Sequence, residues 1–397
     1  MLNKALFFPQ NKTHIDNMLP VAERLHSEGF KVIFLNAQKI YKQYIFPEIF
    51  PFKIIEMDLK PQLAFSFLSS FKKILFLMHF VKYVRLSQLN SFDLFIYGND
   101  GALQRVFISK FKNKKHILIL DGMISDYTFS FKNLLKNSDN IIIDIKIFII
   151  DRMKYILNKC FAYIPYNYYL PSDVGCSRLD KIFVLSDYIN NVIRNQRLRS
   201  TKIITSGMPR YKFLKKDDSK ESDIRKMTFI TGAYVWHNDI FADKLQHKTI
   251  SVLINNIKNN QLNDFELTIR VHPREDINNY KYLLDYNFIK VEDSSVNIYD
   301  TIRQSDVIIA PNSTVMLEAM FIDKKVIFLF FNNEYWRFSK SYIKDSIFKK
   351  VFNEEEFLAE LIKKEDGSVS KEKLKFYFNP NSEKAVDIIV NEIIKND

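Results

Sequence analysis

Short apolar runs rich in β-branched and aromatic residues alternate along this chain with longer stretches in which apolar positions recur every three or four residues. "KALFFP" (4–9) predicts a strand. "HIDNMLPVAERLHSEG" (14–29) sets Ile15, Met18, Leu19, Ala22 and Leu25 on one helical stripe and stops at Gly29. "KVIFLN" (31–36) predicts the next strand, and "DLFIYGNDG" into "ALQRVFISKF", "KHILILDG", and "DKIFVLS" into "DYINNVIRNQ" continue the alternation. Strands that are apolar along their whole length need cover on both faces, which predicts a parallel, doubly wound sheet.

The charged, apolar-poor stretch "KKDDSKESDIRK" (215–226) interrupts the pattern and is the candidate linker. The pattern then restarts. Strands are predicted at "MTFITGA" (227–233), "FELTIRVHP", "FIKVED", "DVIIAPNST" and "KVIFLFF" (325–331), with helices near 242–258, near 296–304 and from 314. The amphipathic "EKAVDIIVNEIIK" (383–395) closes the chain. The expected organisation is a Rossmann-like domain over 1–218, a second over 226–380 and a C-terminal helix over 381–397, an α/β architecture of two doubly wound domains facing a cleft. At 397 residues the chain exceeds what one core usually holds, which agrees with two domains.

Composition narrows the class only slightly. Two cysteines, Cys160 and Cys176, cannot build a disulfide framework in a chain of this size, and no Cys/His spacing suggests zinc, so a reducing cytoplasm is expected. No uncharged apolar span reaches membrane-crossing length, and the apolar start of the chain breaks at Pro9 and Gln10, too early for a signal peptide. The net charge of +12 favours anionic partners. Joint richness in Lys, Asn, Ile, Phe and Tyr is also what A/T-rich codons produce by themselves, so the charge selects little. No Arg-rich arm, aromatic RNA-binding signature or zinc finger points to nucleic acid.

The candidate chemistry sits at strand ends, where open α/β sheets bind ligands. "ELTIRVHPRED" ends a buried run in His272 and Pro273; "DVIIAPNSTVMLEAM" ends one in Asn312, Ser313 and Thr314 and passes into a helix carrying Glu318. An imidazole and two hydroxyls beside a helix amino terminus suit a phosphate. The same hydroxyls serve equally as helix caps, and a strand-end histidine also packs or faces solvent. Gly232, in "TGAYVWHND", permits close backbone approach to a ligand, with Trp236 and His237 beside it. In the first half, Asp121 ends "HILILDG" and Gly122 allows a sharp turn; Asn11, Thr13 and His14 follow the first strand, and Arg210 lies in "SGMPRY". Each has a plainer role: Asp121 capping a turn, Asn11 and Thr13 capping a helix, Arg210 solvated.

Taken together, "DG" at 121–122, "HP" at 272–273 and the hydroxyl pair at 313–314 resemble the signature of bacterial GT-B sialyltransferases and polysialyltransferases, which use CMP-sialic acid. The order of motifs spans most of the chain, though each motif is only two or three residues long. The resemblance implies a metal-independent, cofactor-free inverting glycosyltransferase of surface polysaccharide or lipopolysaccharide synthesis, with a CMP-sugar donor and an oligosaccharide or lipid-linked glycan acceptor. Asp121 is then the general base, His272 the group that stabilises departing CMP, and Gly232, Pro273, Asn312, Ser313, Thr314 and Glu318 the donor site; Asn11, His14, Gly122 and Arg210 meet substrate. The chain departs from the family in having Leu120 where a second acidic residue is usual. Other donors on the same fold remain open, a UDP-sugar or a CDP-linked polyol phosphate; polyol-phosphate transferases also carry His-Pro and a hydroxyl pair, typically with His-Gly in place of Asp121-Gly122. A non-catalytic sugar-nucleotide-binding protein is the reading from another class. No D-x-D triplet or G-x-G-x-x-G fingerprint occurs.

Two apolar, basic segments raise the question of a membrane. No acidic residue occurs from Leu59 to Ser91, where "FKKILFLMHFVKYVR" carries Lys72, Lys73, Lys82 and Arg85, and "IFIIDRMKYILNKCFAYIPYNYY" is similar. Peripheral docking on anionic lipid at the inner membrane is one reading. Because the four cations scatter around a helical wheel, core or interdomain packing is the preferred one.

Overall fold

A computed structural model describes residues 3–42, 45–61, 63, 65, 68–86, 88–120, 122–124, 149, 152–153, 155–197, 201–214, 225–234, 240–259, 265–311, 313–331, 343, 345–363 and 371–395. The chain divides into two compact units, Met1–Lys212 with Asn379–Asp397, and Phe213–Phe378.

In the first unit, β1 (Lys4–Phe8), β2 (Lys31–Asn36), β3 (Lys53–Glu56), β4 (Leu94–Tyr97), β5 (Lys115–Leu120), β6 (Lys181–Val184) and β7 (Lys202–Thr205) form, among the described residues, one sheet in the order β3-β2-β1-β4-β5-β6-β7. Every pairing is parallel. Its helices include α1 (Lys12–Ser27), α2 (Gln38–Tyr41), α3 (Ser70–Leu86), α4 (Ala102–Lys110) and α5 (Asp187–Asn195). Strand order reverses between β1 and β4, so the carboxyl ends of those strands flank the switch point. Helix α1 begins where Asn11 Oδ1 accepts the His14 N–H at 2.9 Å and buries Ile15, Met18, Val21, Ala22 and Leu25.

The second unit repeats the plan. Strands β8 (Arg225–Ile230), β9 (Phe265–Arg270), β10 (Ile289–Glu292), β11 (Val307–Ala310), β12 (Lys325–Leu329) and β13 (Lys350–Val351) lie in the order β10-β9-β8-β11-β12-β13, again all parallel. Its helices are α6 (Ile240–Asn259), α7 (Ile298–Gln304), α8 (Val315–Phe321), α9 (Glu354–Ile362) and α10 (Lys371–Tyr377). The switch point falls between β8 and β11. Ile250, Leu253, Ile254 and Ile257 on one face of α6 join Met227, Phe229, Leu267, Ile269, Ile309 and Ile327 from the strands in a buried core. Each such side chain contributes roughly 1.5–3 kcal/mol of burial. Arg225 and Lys226, read from sequence as the end of a linker, instead open β8; the rest of that stretch, 215–224, lies outside the described residues.

The last helix, α11 (Ser382–Ile394), packs against α1 and so belongs to the first unit. Lys181 donates to the Glu392 carbonyl at 2.5 Å, and the Lys202 ammonium lies 2.6 Å from the Glu392 carboxylate. The chain enters this helix beside Gly207, which has φ +75°, and the Met208 N–H donates to the Pro380 carbonyl at 2.8 Å. A Cβ at position 207 would lie 2.1 Å from the Pro380 oxygen. Glycine is therefore required twice, by its backbone conformation and by its neighbour. Gly207→Ala is expected to lower stability by roughly 2–4 kcal/mol in chemical denaturation; a loss under about 0.5 kcal/mol, the range of neutral surface changes, would contradict this account of the join.

Candidate functional site

Three adjacent strand ends build the site in the second unit. β8 runs into Thr231 and Gly232, β9 into Val271, His272 and Pro273, and β11 into Pro311, Ser313 and Thr314. From sequence, the His-Pro and hydroxyl motifs read as ending two neighbouring strands. In the sheet β8 lies between them, so the two motifs stand about 10 Å apart across the strands. That gap is spanned by the Thr231–Gly232 turn.

Hydrogen bonds lock this turn to the histidine. The His272 N–H donates to Thr231 Oγ1 at 2.8 Å, and the Thr231 hydroxyl donates in turn to Glu275 Oε2 at 2.8 Å. The Tyr280 hydroxyl donates to the same oxygen at 2.8 Å, and Gln246 of α6 links the set by donating to Tyr280 at 2.8 Å and accepting the Gly232 N–H at 2.6 Å. Thr231, Gln246 and Tyr280 are buried. The network fixes both loops to the sheet from below. His272 Nδ1 accepts the Arg274 N–H at 3.1 Å, so the neutral imidazole carries its proton on Nε2 and acts as a donor there. Burial raises the Glu275 carboxyl above its ordinary range, against the lowering by the Tyr280 and Thr231 hydrogen bonds. Sequence reasoning missed Thr231, Gln246, Glu275 and Tyr280. The local signal was Glu275, three residues after His272.

The remaining donor-side residues fall as follows. Ser313 Oγ accepts the Val315 N–H at 3.3 Å, a capping contact, while Thr314 precedes α8 without a side-chain cap bond. Glu318 is buried in α8. Pro273 is exposed, and a Cβ on Gly232 would lie 2.7 Å from the Tyr234 ring. Asn312, Trp236 and His237 lie outside the described residues.

The first unit gathers polar groups at its own switch point. The Gln10 N–H donates to His14 Nδ1 at 3.1 Å, Asn11 Nδ2 lies 3.3 Å from His14 Nε2, and the Asn99 amide donates to Gln10 Oε1. Gly98 permits this crowding, for a Cβ there would lie 2.2 Å from the His14 ring. Buried on α1 and after β6, the Asn17 Nδ2 and the Ser186 Oγ have no hydrogen-bond partner among the described residues, while the buried Gln104 amide of α4 hydrogen-bonds the Tyr41 hydroxyl. Arg210 packs its guanidinium 4.3 Å from the Tyr211 ring centre, bonds the Tyr211 hydroxyl, and donates its backbone N–H to Asn17 Oδ1 at 3.1 Å. It is held, not solvated. Gly122 has φ +108°, with open space where a Cβ would stand; Asp121, the residue before it, lies outside the described residues. No group of His, Cys, Asp or Glu among the described residues could hold a metal ion.

Two doubly wound α/β units, each with polar groups at its strand ends, define the GT-B-like class, and solved structures share the whole chain's fold. A wall teichoic acid polymerase, TagF, soaked with CDPG superposes with a TM-score of 0.53 at 14% identity, covering 98% of this chain and 88% of that one. A putative UDP-N-acetylglucosamine 2-epimerase from Listeria monocytogenes gives 0.55 at 11% identity over 100% and 98% of the two chains. A glycosyltransferase from Rickettsia africae gives 0.53 at 13% identity over 100% of both. No curated protein sequence matches. The chain belongs to the CDP-glycerol:poly(glycerophosphate) glycerophosphotransferase family, whose model matches residues 171–391, over half of its length. This corrects the sialyltransferase resemblance: the transferase class stands, and the family that matches is the one weighed as an alternative, that of polyol-phosphate transfer.

Two outcomes follow from the network. Thr231→Val removes both hydroxyl links and is expected to cost about 1–3 kcal/mol in denaturant titration; no measurable loss would contradict it. Because burial raises the Glu275 titration, stability contributed by the neutral carboxyl is present at low pH and lost as pH rises through the folded value. Glu275→Gln, which cannot ionise, is therefore expected to gain on the wild type as pH rises above the ordinary carboxylate range. A constant offset as pH rises would show that Glu275 does not titrate as described.

Proposed function

We propose that the chain transfers a polyol phosphate, of the glycerol phosphate class, from a CDP-linked donor to a hydroxyl of a polymer acceptor. The observation that carries this reading is the family match over 171–391, which spans most of the second unit and includes His272, Ser313 and Thr314. The strand-end geometry supports it. A cytidine diphosphate ester carries negative charge on two phosphates, and the groups about 10 Å apart at the ends of β9 and β11 suit an extended anion better than a single phosphate.

In the proposed reaction an acceptor oxygen attacks the polyol-linked phosphorus. A new P–O bond forms, the bond to the bridging oxygen breaks, and CMP leaves with the electron pair. His272, donating from Nε2, stabilises charge on the departing phosphate; Ser313 and Thr314 hydroxyls, with Asn312, Gly232 and Pro273 shaping the loops, hold the diphosphate, and Glu318 meets the nucleotide. Asp121 takes the acceptor proton, a carboxylate where related polyol-phosphate transferases typically have histidine. Amide and hydroxyl groups at the first unit's switch point, Asn11 and His14 among them, receive a hydroxyl-rich acceptor beside Gly122 and Arg210. Transfer from a CMP-nonulosonic acid is the second reading, favoured by the Asp121-Gly122 pair alone.

A thermal-shift panel of CDP-glycerol, CDP, CMP and UDP tests the donor. A ligand at about 100 times its dissociation constant adds roughly 2.7 kcal/mol, so CDP-glycerol and CDP are expected to stabilise more than UDP. Stabilisation by UDP alone would overturn the proposal. Asp121→Asn is expected to lower turnover on the order of 10²–10⁴-fold while leaving the CDP shift intact; an unchanged rate would remove Asp121 as the base.

A further inference from the structure

The amino-terminal edge of the first unit's sheet is basic along most of its width. Among the described residues, six of its seven strands open on lysine, Lys4, Lys31, Lys53, Lys115, Lys181 and Lys202, while β4 opens on Leu94. Lys181 and Lys202 are engaged by Glu392 of α11. Lys31, Lys53 and Lys115 are exposed and Lys4 is half-buried. Lys4 and Lys31 stand in register on β1 and β2, so two ammonium stems leave backbones about 4.8 Å apart, like charges that an anion laid against them would relieve. Two acids near this edge are turned to other work. Asp93 accepts the Lys4 backbone N–H at 3.2 Å and pairs with Lys114 at 3.2 Å, and Asp180 accepts the His116 N–H at 2.6 Å.

Two cavities open along the same edge. One, of about 310 Å³, lies between the starts of β1 to β3 and the end of α3, where Lys4, Lys31 and Lys53 line it together with Ile33, Ile55 and Tyr83. The other, of about 590 Å³, lies where α4 passes toward β5 and the chain approaches β6; Lys110, Lys112 and Arg178 line it with Tyr163, Tyr166 and Asn167. No described carboxylate lines either cavity. The whole chain holds 46 acidic against 58 basic residues, so six cations without one acid is a selection that overall composition does not make. In the strand order β3-β2-β1-β4-β5-β6 the two cavities stand roughly 15–20 Å apart at about 4.8 Å per strand, with the start of β5 and its exposed Lys115 between them.

We infer that this edge is a second site, apart from the strand carboxyl ends, that binds a stretch of polyol phosphodiester polymer. The inference rests on the transfer proposed above, whose product is such a polymer. Each repeat carries one negative charge and free hydroxyls. Lysine meets a phosphate as a point charge and arginine as a fork, while the tyrosine hydroxyls and the Asn167 amide suit the polyol between phosphates. Strands of four to six residues set the two ends of the sheet roughly 13–20 Å apart, so one unit holds both the growing end of a long acceptor and an earlier stretch of it. A polymer that reaches both cavities binds the second at a raised effective concentration. An oligonucleotide carries the same backbone charge, but its bases call for aromatic platforms alternating with cations. None of the four open strand starts, Lys4, Lys31, Lys53 and Lys115, neighbours an exposed aromatic on its strand, which favours the polyol chain.

Fluorescently labelled glycerol phosphate oligomers of about two and about ten repeats, titrated into the full-length protein without donor, test this. The longer oligomer is expected to bind about tenfold or more tightly than the shorter, with an affinity that falls as salt rises. Lys31→Gln with Lys53→Gln, and separately Lys112→Gln with Arg178→Gln, are each expected to weaken the longer oligomer about tenfold and to lower its salt slope by about two. Lys31→Arg with Lys53→Arg is expected to keep wild-type affinity, and unchanged melting shows that the variants remain folded. Equal affinity for the two lengths would overturn the inference, as would indifference to both glutamine pairs. Tighter binding of an oligonucleotide of equal charge would assign the edge to nucleic acid and overturn it equally. Absence of oligomer binding while CDP-glycerol is still consumed overturns this inference and leaves the transfer reading; oligomer binding without consumption of CDP-glycerol does the reverse.

Discussion

The Thr231 hydroxyl is the interaction on which the second unit's site depends. It accepts from the His272 backbone and donates to Glu275, so one oxygen couples the ends of two neighbouring strands. Parallel strands buried on both faces leave only their ends for polar chemistry. Polar groups at such ends are flexible unless something beneath them is rigid, and the buried Thr231, Gln246 and Tyr280, bonded to the half-buried Glu275, supply that rigidity. The imidazole is thereby presented with its tautomer set by the Arg274 N–H. The cost is a carboxyl held partly desolvated, which burial pushes toward its neutral form.

The same architecture carries different polar groups at the strand ends of the two units. In the second, a backbone turn and a histidine converge in a way suited to phosphate. In the first, amides dominate: Asn11 lies beside the His14 ring and Asn99 donates to Gln10. The final helix joins this first unit through Glu392, Lys181 and Lys202.

Much of this was legible in the sequence because the relevant signals are local. The central strands are continuous apolar runs, and β1, β2, β5, β9 and β12 fall where periodicity places them. Strands β3, β7 and β13 were not legible: β3 is exposed or half-exposed at every position and β7 at all but one, and β13 has two residues, so no apolar run marks them. His272, Gly232 and the 313–314 hydroxyls could be singled out because a strand end is visible in sequence. Their spacing could not, since strand order is set by tertiary pairing, and β8 inserts between them. Gln246 and Tyr280 reach the site from other elements and carry no local mark. The apolar segment 70–86 packs in the core as expected along Leu77, Phe80 and Val84, while Phe71 and Met78 stay exposed, a split that cation scatter on a helical wheel does not reveal. The donor class likewise followed from short motifs that two transferase families share, and only the match across 171–391 separates them.

The central claim is that a phosphate ester bound at the ends of β8, β9 and β11 is broken to release CMP. Phosphorus NMR of CDP-glycerol incubated with the protein and a glycerophosphate-primed acceptor measures this directly. The account predicts that the diphosphate signals disappear while a phosphodiester signal and that of CMP grow in equal amounts, and that His272→Ala abolishes the change. Persistence of the diphosphate under conditions where CMP-sialic acid is consumed would contradict it.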